Sequence, residues 1–164
     1  MKNYIVINGK KAELTKEQLK KLGIKSERNN PFDRVEERED YFVTRDNGTV
    51  SRVIETFHDT DTWYYDNAAY FNDKEFSEQM SLKWLLNRKL EKYAWDNGAE
   101  DVEWDDKNGH YLIYYNFLDK SFNINVFSLW KWSGVIYFSD REVAEEAIKD
   151  VIEPFMKEHP EFRW

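Results

Sequence analysis

The chain has three histidines, His58, His110 and His159, and they stand far apart. None sits at i, i+4 beside a glutamate, the helical spacing that brings two ring nitrogens and a general base to one zinc ion. His58-Asp59-Thr60-Asp61 could offer ligands from one loop. That stretch lacks the mid-loop glycine and terminal glutamate of a calcium site, so it reads as a solvated turn with no metal. The absence of cysteine removes thiolate nucleophiles, sulfur-ligated metals and disulfides together. There is no Gly-x-Ser-x-Gly elbow and no glycine-rich phosphate loop. Carboxylates abound, but a carboxylate becomes a catalyst only in a shaped, partly dry pocket. The chemistry on offer is therefore binding chemistry: no enzyme and no cofactor is expected.

The most regular charged feature is a run of six acids without a base: Asp96, Glu100, Asp101, Glu103, Asp105 and Asp106. If 101–105 is a strand, Val102 and Trp104 face inward and the three acids face outward. Outward residues on a strand repeat at roughly 6.6 Å. That is near twice the ~3.4 Å axial rise per phosphate of one DNA strand. Such a row would imitate phosphates to a basic groove, and a plain acidic edge that discourages sheet aggregation has the same spacing. Asp59 and Asp61, followed by Trp63 and Tyr64, make a second acid-and-aromatic candidate for partner binding. Trp130 and Trp132 join Trp63 and Tyr64 as aromatics through which a protein partner could be held.

The bulk composition fits this picture. The formal charge is −8, with 41% hydrophobic and 34% charged residues, which suits a globular chain. Its 164 residues suffice for one domain with a small appendage, and the 17% aromatic content implies a ring-rich core, a ring-rich surface, or both. Charge is uneven: residues 1–25 carry seven Lys and two Glu, while the remainder is strongly acidic. The body should repel nucleic acid and attract a basic protein surface. No apolar run approaches the roughly 20 residues of a membrane span. The start of the chain lacks the apolar region of a signal peptide, so a cytoplasmic location is expected.

Around these residues the chain divides into a basic hairpin–helix arm at 1–24, a charged linker at 25–40 and an α+β body at 41–164. In the arm, Asn8-Gly9 favours a tight hairpin turn, Thr15 and Gln18 form a capping box, and Gly23 stops a helix from Lys16 to Leu22. In the body, Asp46-Asn47-Gly48 turns a hairpin between Tyr41–Arg45 and Thr49–Glu55. Ala68–Phe71 reads as a short strand. Asn72 caps a long helix to about Asp96, with Phe76, Met80, Trp84, Leu86, Leu90 and Tyr93 as its apolar stripe. A second hairpin runs from His110 to Phe127 and a strand from Gly134 to Phe138. Ser139 then caps a final helix, whose apolar side is Val143, Ala147, Val151 and Phe155 and which Pro154 should kink or fray.

Two stretches match at an offset of 67 residues: Tyr70-Phe71-Asn72-Asp73-Lys74-Glu75 and Tyr137-Phe138-Ser139-Asp140-Arg141-Glu142. Each follows a hairpin, so the body reads as hairpin–strand–helix twice, at about 41–98 and 110–158. The expected fold is α+β, a mainly antiparallel sheet shared by both halves, with two long helices on one face.

Asn30-Pro31-Phe32-Asp33-Arg34-Val35-Glu36, Tyr70-Phe71-Asn72-Asp73-Lys74-Glu75, Gly134-Val135-Ile136-Tyr137-Phe138-Ser139 and Glu153-Pro154-Phe155-Met156-Lys157-Glu158-His159-Pro160 carry a resemblance. Across about residues 30–164 the chain resembles a group of small acidic proteins from phages and prophages of Gram-positive bacteria. The resemblance implies an origin and no catalytic residues. By analogy of class it implies an antagonist of host defence, of anti-CRISPR or anti-restriction type, whose partner is a host defence nuclease or another basic protein surface in the cytoplasm of the infected bacterium.

Overall fold

The computed structural model describes residues 4–7, 10–22 and 30–164. In the arm, β1 (Tyr4–Ile7) and β2 (Lys10–Glu13) pair antiparallel with Tyr4 opposite Glu13, and α1 covers Lys16–Lys21. Gln18 Oε1 accepts from the Thr15 N–H at 2.9 Å and Thr15 Oγ1 accepts from the Gln18 N–H at 3.3 Å, the reciprocal pattern of a capping box. The expected Asn8-Gly9 turn and Gly23 stop lie outside the described residues.

The remaining elements are β3 (Asp40–Thr44), β4 (Val50–Ile54), α2 (Asp59–Asp66), β5 (Tyr70–Phe71), α3 (Lys74–Asp96), β6 (His110–Asn116), β7 (Ser121–Phe127), α4 (Arg141–Ala147), a π-helical turn (Ile148–Ile152) and α5 (Glu153–Glu158). The class is α+β with antiparallel pairing. The strands form three sheets, β1-β2, β4-β3-β5 and β6-β7, instead of the single shared sheet expected. The Gly134–Phe138 stretch does not extend the third sheet as a strand. Gly134 takes a left-handed turn (φ 75°), and only Phe138 bridges back, exchanging backbone hydrogen bonds with Tyr111 at 3.1 and 2.7 Å.

The chain divides into two compact units. One comprises Met1–Val43 with Arg52–Phe76, the other Thr44–Ser51 with Ser77–Trp164. In the first, Tyr41, Val43 and Tyr70 form a small core onto which Val35, Val53 and Tyr64 pack. Val35 belongs to the segment read as a linker, and its described part, residues 30–40, is tied in. Asn72 donates to the carbonyls of Asn30 and Asp33, and Phe32 sits 5.1 Å from Phe71 and 5.5 Å from Phe76.

The second unit holds the larger core. Leu82, Leu86, Leu90 and Ala94 of α3 meet Ala144, Ala147, Ile152, Phe155 and Phe162. Tyr111, Ile113, Phe122 and Ile124, which alternate along β6 and β7, pack against the same cluster. Small polar residues also occupy the buried face of α3: Ser77 and Ser81 are buried where an apolar count selects Met80 and Trp84. Ser81 explains itself, since its hydroxyl shares a proton between the carbonyls of Arg45 and Thr49 at the β3–β4 turn.

At that turn Gly48 has φ 84°, and an added Cβ would stand 2.8 Å from Leu85 Cδ2. Gly48→Ala therefore combines left-handed strain with a clash. It is expected to cost roughly 1–3 kcal/mol, read as a lowered urea midpoint for the second unit.

Pro154 does not fray the last helix. It lacks an N–H, and the Glu153 N–H bonds to the Ile148 carbonyl five residues back. This π-turn inserts one residue ahead of the proline, and helix continues to Glu158. The buried stripe accordingly steps from Ala147 to Ile152 before resuming at Phe155. Cap positions also differ from expectation by one residue, in both places alike. Asp73 Oδ1 accepts from Phe76 N–H at 2.9 Å, and Asp140 Oδ1 accepts from Val143 N–H at 2.8 Å. Asn72 and Ser139 instead donate to distant carbonyls.

Candidate binding surfaces

In the first unit, His58-Asp59-Thr60-Asp61 is not a loop but the start of α2. His58 is the N-cap, and Asp61 completes the capping box from the third helical position. Asp59 stays exposed, whereas Asp61 is buried. One Asp61 oxygen accepts from Tyr41 Oη at 2.6 Å. The other accepts from Thr56 N–H, Thr56 Oγ1 and His58 N–H at 3.0, 2.7 and 3.1 Å. With both oxygens used, Asp61 does not present charge to a partner. Trp63 is exposed and meets Tyr64 edge-on at 5.2 Å, while Tyr64 lies partly in the core.

A second buried carboxylate mirrors the first. Glu55, fully buried, receives Arg34 as a two-pronged fork at 2.9 and 3.1 Å, Tyr70 Oη at 2.9 Å and the Phe57 N–H at 2.7 Å. Tyr41 and Tyr70 stack face to face at 4.0 Å, so the two carboxylates are joined through stacked phenols. Arg34 lies over the Phe57 ring at 4.7 Å and near the Tyr65 ring at 5.5 Å. Phe57 pays a left-handed backbone (φ 56°) for this position. Both carboxylates have their oxygens occupied by protein donors, so the network specifies a structure.

The network sets the pH limits of the first unit. Burial pushes the Asp61 carboxyl up, but the hydrogen bonds from Tyr41, Thr56 and His58 outweigh it and hold the group down at about 2. Glu55 is lowered likewise, with Arg34, Phe57 N–H and Tyr70 outweighing burial. A lowered carboxylate stabilises the fold above its unfolded value and loses that contribution as pH falls through the folded value. Acid titration through Asp61 should therefore remove about 2 kcal/mol between about pH 4 and 2, and Glu55 adds a loss of the same sign as pH falls. Burial, with hydrogen bonding to Asp61 and Glu55, raises Tyr41 and Tyr70 above the usual phenol value. Their contribution is present below about pH 10 and is lost as pH rises beyond it. Fluorescence-monitored unfolding across pH should show both shoulders.

In the second unit the acid run does not form a ladder. Helix α3 ends at Asp96, Gly98 (φ 80°) lies in the turn after it, and residues 101–109 are bends and irregular chain with no strand. Asp96 pairs with Lys92. Asp105 Oδ1 accepts from the N–H groups of Asn108 and Lys107 at 2.7 and 2.8 Å, an Asx turn that bends the chain and lowers the carboxyl's pKa. The regular 6.6 Å spacing is therefore absent. Glu100, Asp101, Glu103 and Asp106 remain exposed as an irregular acidic patch.

Beside this patch lies what the sequence did not reveal. Trp104 stacks flat on buried His110, 3.6 Å apart at 3°, and meets Tyr137 edge-on at 4.9 Å. His110 Nε2 donates to the Glu103 carbonyl at 3.2 Å. Lys131 sets its ammonium 5.5 Å from the Trp104 ring centre. A cavity of ≈ 210 Å³ opens here, lined by Glu91, Trp95, Glu100, Trp104, Lys131 and Tyr137 among others. The loop carrying Lys131 exposes Leu129 (65%), Trp130 (66%) and Trp132 (53%), and Phe127 packs on Trp132 at 4.7 Å. The Trp132 backbone is anchored through its amide N–H, which donates to Tyr137 Oη at 3.0 Å.

Among the described residues no group of three or more His, Asp or Glu could hold a metal ion, and no helix is long and apolar enough to cross a membrane. No protein-family model, curated protein or solved structure matches the chain.

Proposed function

We propose that this chain is a phage-encoded binding protein that inhibits a host nucleic-acid-handling defence enzyme, engaging a basic surface of that enzyme through the aromatic loop and acidic patch of the second unit. The carrying observation is the exposure of Leu129, Trp130 and Trp132 on one short loop whose Lys131 meets Trp104 and shares a cavity with Glu100, in the segment that also carries exposed Asp101, Glu103 and Asp106. Soluble proteins rarely leave large rings together in water without a use, and aromatics with a polar rim are the anatomy of a protein interface. The acids select a basic partner and speed the encounter. The contribution is an uneven acidic rim around hydrophobic anchors, so mimicry of a regular phosphate row is not part of the mechanism proposed.

A second reading, a phage structural or regulatory module docking through aromatics alone, is favoured by the same tryptophans. Salt separates the two. The immobilised chain is incubated with lysate of a Gram-positive bacterium at low and high ionic strength. Any captured nucleic-acid enzyme is then assayed with and without the chain. The inhibitor proposal expects capture that weakens with salt, together with lost enzyme activity. Salt-indifferent capture of phage assembly proteins would favour the second reading.

The two hairpin–strand–helix segments are further inferred to descend from one duplicated unit. Support comes from the matching order β4-β3-β5 and β7-β6-Phe138, and from the matching caps at Asp73 and Asp140.

A further inference from the structure

We infer that the cavity between Trp95 and Trp104 is a receptor for a single arginine side chain of the protein partner. This deepens the reading of the chain as a protein-binding module and rests on it.

Three observations converge. The first is the wall chemistry. Trp104 has one face covered by His110, which leaves the other for a cation, and Trp95 is 57% exposed at the cavity edge. Two exposed carboxylates, Glu91 and Glu100, line the same space from the end of α3 and the turn after it. Flat indole faces with carboxylates at the rim suit a guanidinium, which stacks through its plane and donates through its edge. A lysine ammonium can do the first less well and cannot make the forked hydrogen bonds of the second.

The second observation is the chain's own Lys131. Its ammonium stands over the Trp104 ring, and Lys131 is part of the cavity lining. Lys131 is exposed and has no carboxylate within ion-pair distance among the described contacts, so the ring is what it faces. It acts as an internal stand-in that a better cation would displace. The third observation is continuity: Lys131 lies between Trp130 and Trp132, so a partner covering those rings would reach the cavity mouth with its neighbouring side chain.

The test uses the intact chain with ¹⁵N-labelled tryptophan, following indole N–H signals assigned through Trp95→Phe and Trp104→Phe. The probe is the peptide Gly-Gly-Arg-Gly-Gly, and the control is its citrulline counterpart, which keeps the shape and lacks the charge. At low salt the arginine peptide should shift the Trp95 and Trp104 signals, saturating in the millimolar range, and citrulline should bind at least about tenfold more weakly. Lys131→Ala removes the internal competitor and should tighten arginine binding about three- to tenfold. Glu91→Gln with Glu100→Gln should weaken it by a similar factor. All three side chains are exposed, so the variants should keep the wild-type amide spectrum.

Absence of shifts at Trp95 and Trp104, equal binding of citrulline, or weaker binding by Lys131→Ala would each overturn the inference. None of these results depends on capturing a host enzyme. A failed titration with intact lysate capture removes the arginine receptor alone, and a successful titration without capture removes the inhibitor proposal alone.

Discussion

Glu55→Ala is expected to destabilise the first unit by about 3–5 kcal/mol, the cost of breaking a buried ion pair by deleting one partner. Three donors lose their acceptor at once: the Arg34 fork, Tyr70 Oη and the Phe57 N–H. Arg34 keeps Thr62 and the flanking rings but, among the described residues, has no other carboxylate at hydrogen-bond distance. Phe57, in its left-handed conformation, loses the bond that fixes it. The loss should appear as a lowered urea midpoint with reduced near-ultraviolet dichroism from the Tyr41–Tyr70 stack. Because Arg34 becomes the orphan, the double variant Glu55→Gln with Arg34→Met should recover part of the stability. A loss under about 1 kcal/mol for Glu55→Ala would mean that the network is incidental to the fold.

The other large effect concerns binding. Trp130→Ala with Trp132→Ala should lower affinity for the captured enzyme by at least about thirtyfold, since truncated aromatic anchors at an interface centre commonly cost 2 kcal/mol or more. Both side chains are more than half exposed, so their removal creates no buried cavity and should leave the unfolding midpoint near wild type. Trp132 needs separate handling because its ring rests on Phe127; Trp130→Ala alone is the cleaner variant and should account for much of the loss. Exposed Trp63, in the first unit, serves as control: Trp63→Ala should leave affinity within about threefold. An affinity unchanged by the double variant, with a measurable loss for Trp63→Ala, would move the interface to the first unit.

The parts of this molecule that could be read from sequence are those decided locally. The 41–55 hairpin follows from alternation around Asp46-Asn47-Gly48, where Gly48 supplies the left-handed turn. The arm's capping box follows from Thr15 and Gln18, and α3 from its apolar period. What escaped depends on partners distant along the chain. Glu55 ends a strand of alternating residues, and nothing nearby announces that Arg34 will meet it 21 residues away. Asp61 reads as a surface acid until His58, an unusual cap, starts a helix that turns it inward. Asn72 and Ser139 are good cap residues in isolation, but Asp73 and Asp140 follow them immediately and leave them free to tie down other segments.

The acid run illustrates the opposite error. Alternation at 101–105 suggests a strand, but a strand needs a neighbour to pair with. Here Asp105 satisfies two backbone N–H groups of its own turn instead. An inward place for Trp104 is expected only from a strand that does not form; its stacking on His110 and its contact with Lys131 follow from tertiary placement alone.

The most direct test of the inhibitor proposal is a titration of the purified, captured enzyme with the chain in that enzyme's own nucleic-acid cleavage or unwinding assay. The proposal predicts that activity falls to background near stoichiometric addition, that added salt or excess nucleic acid relieves the block, and that Trp130→Ala with Trp132→Ala fails to inhibit. Full activity of the enzyme when saturated with the chain would contradict it.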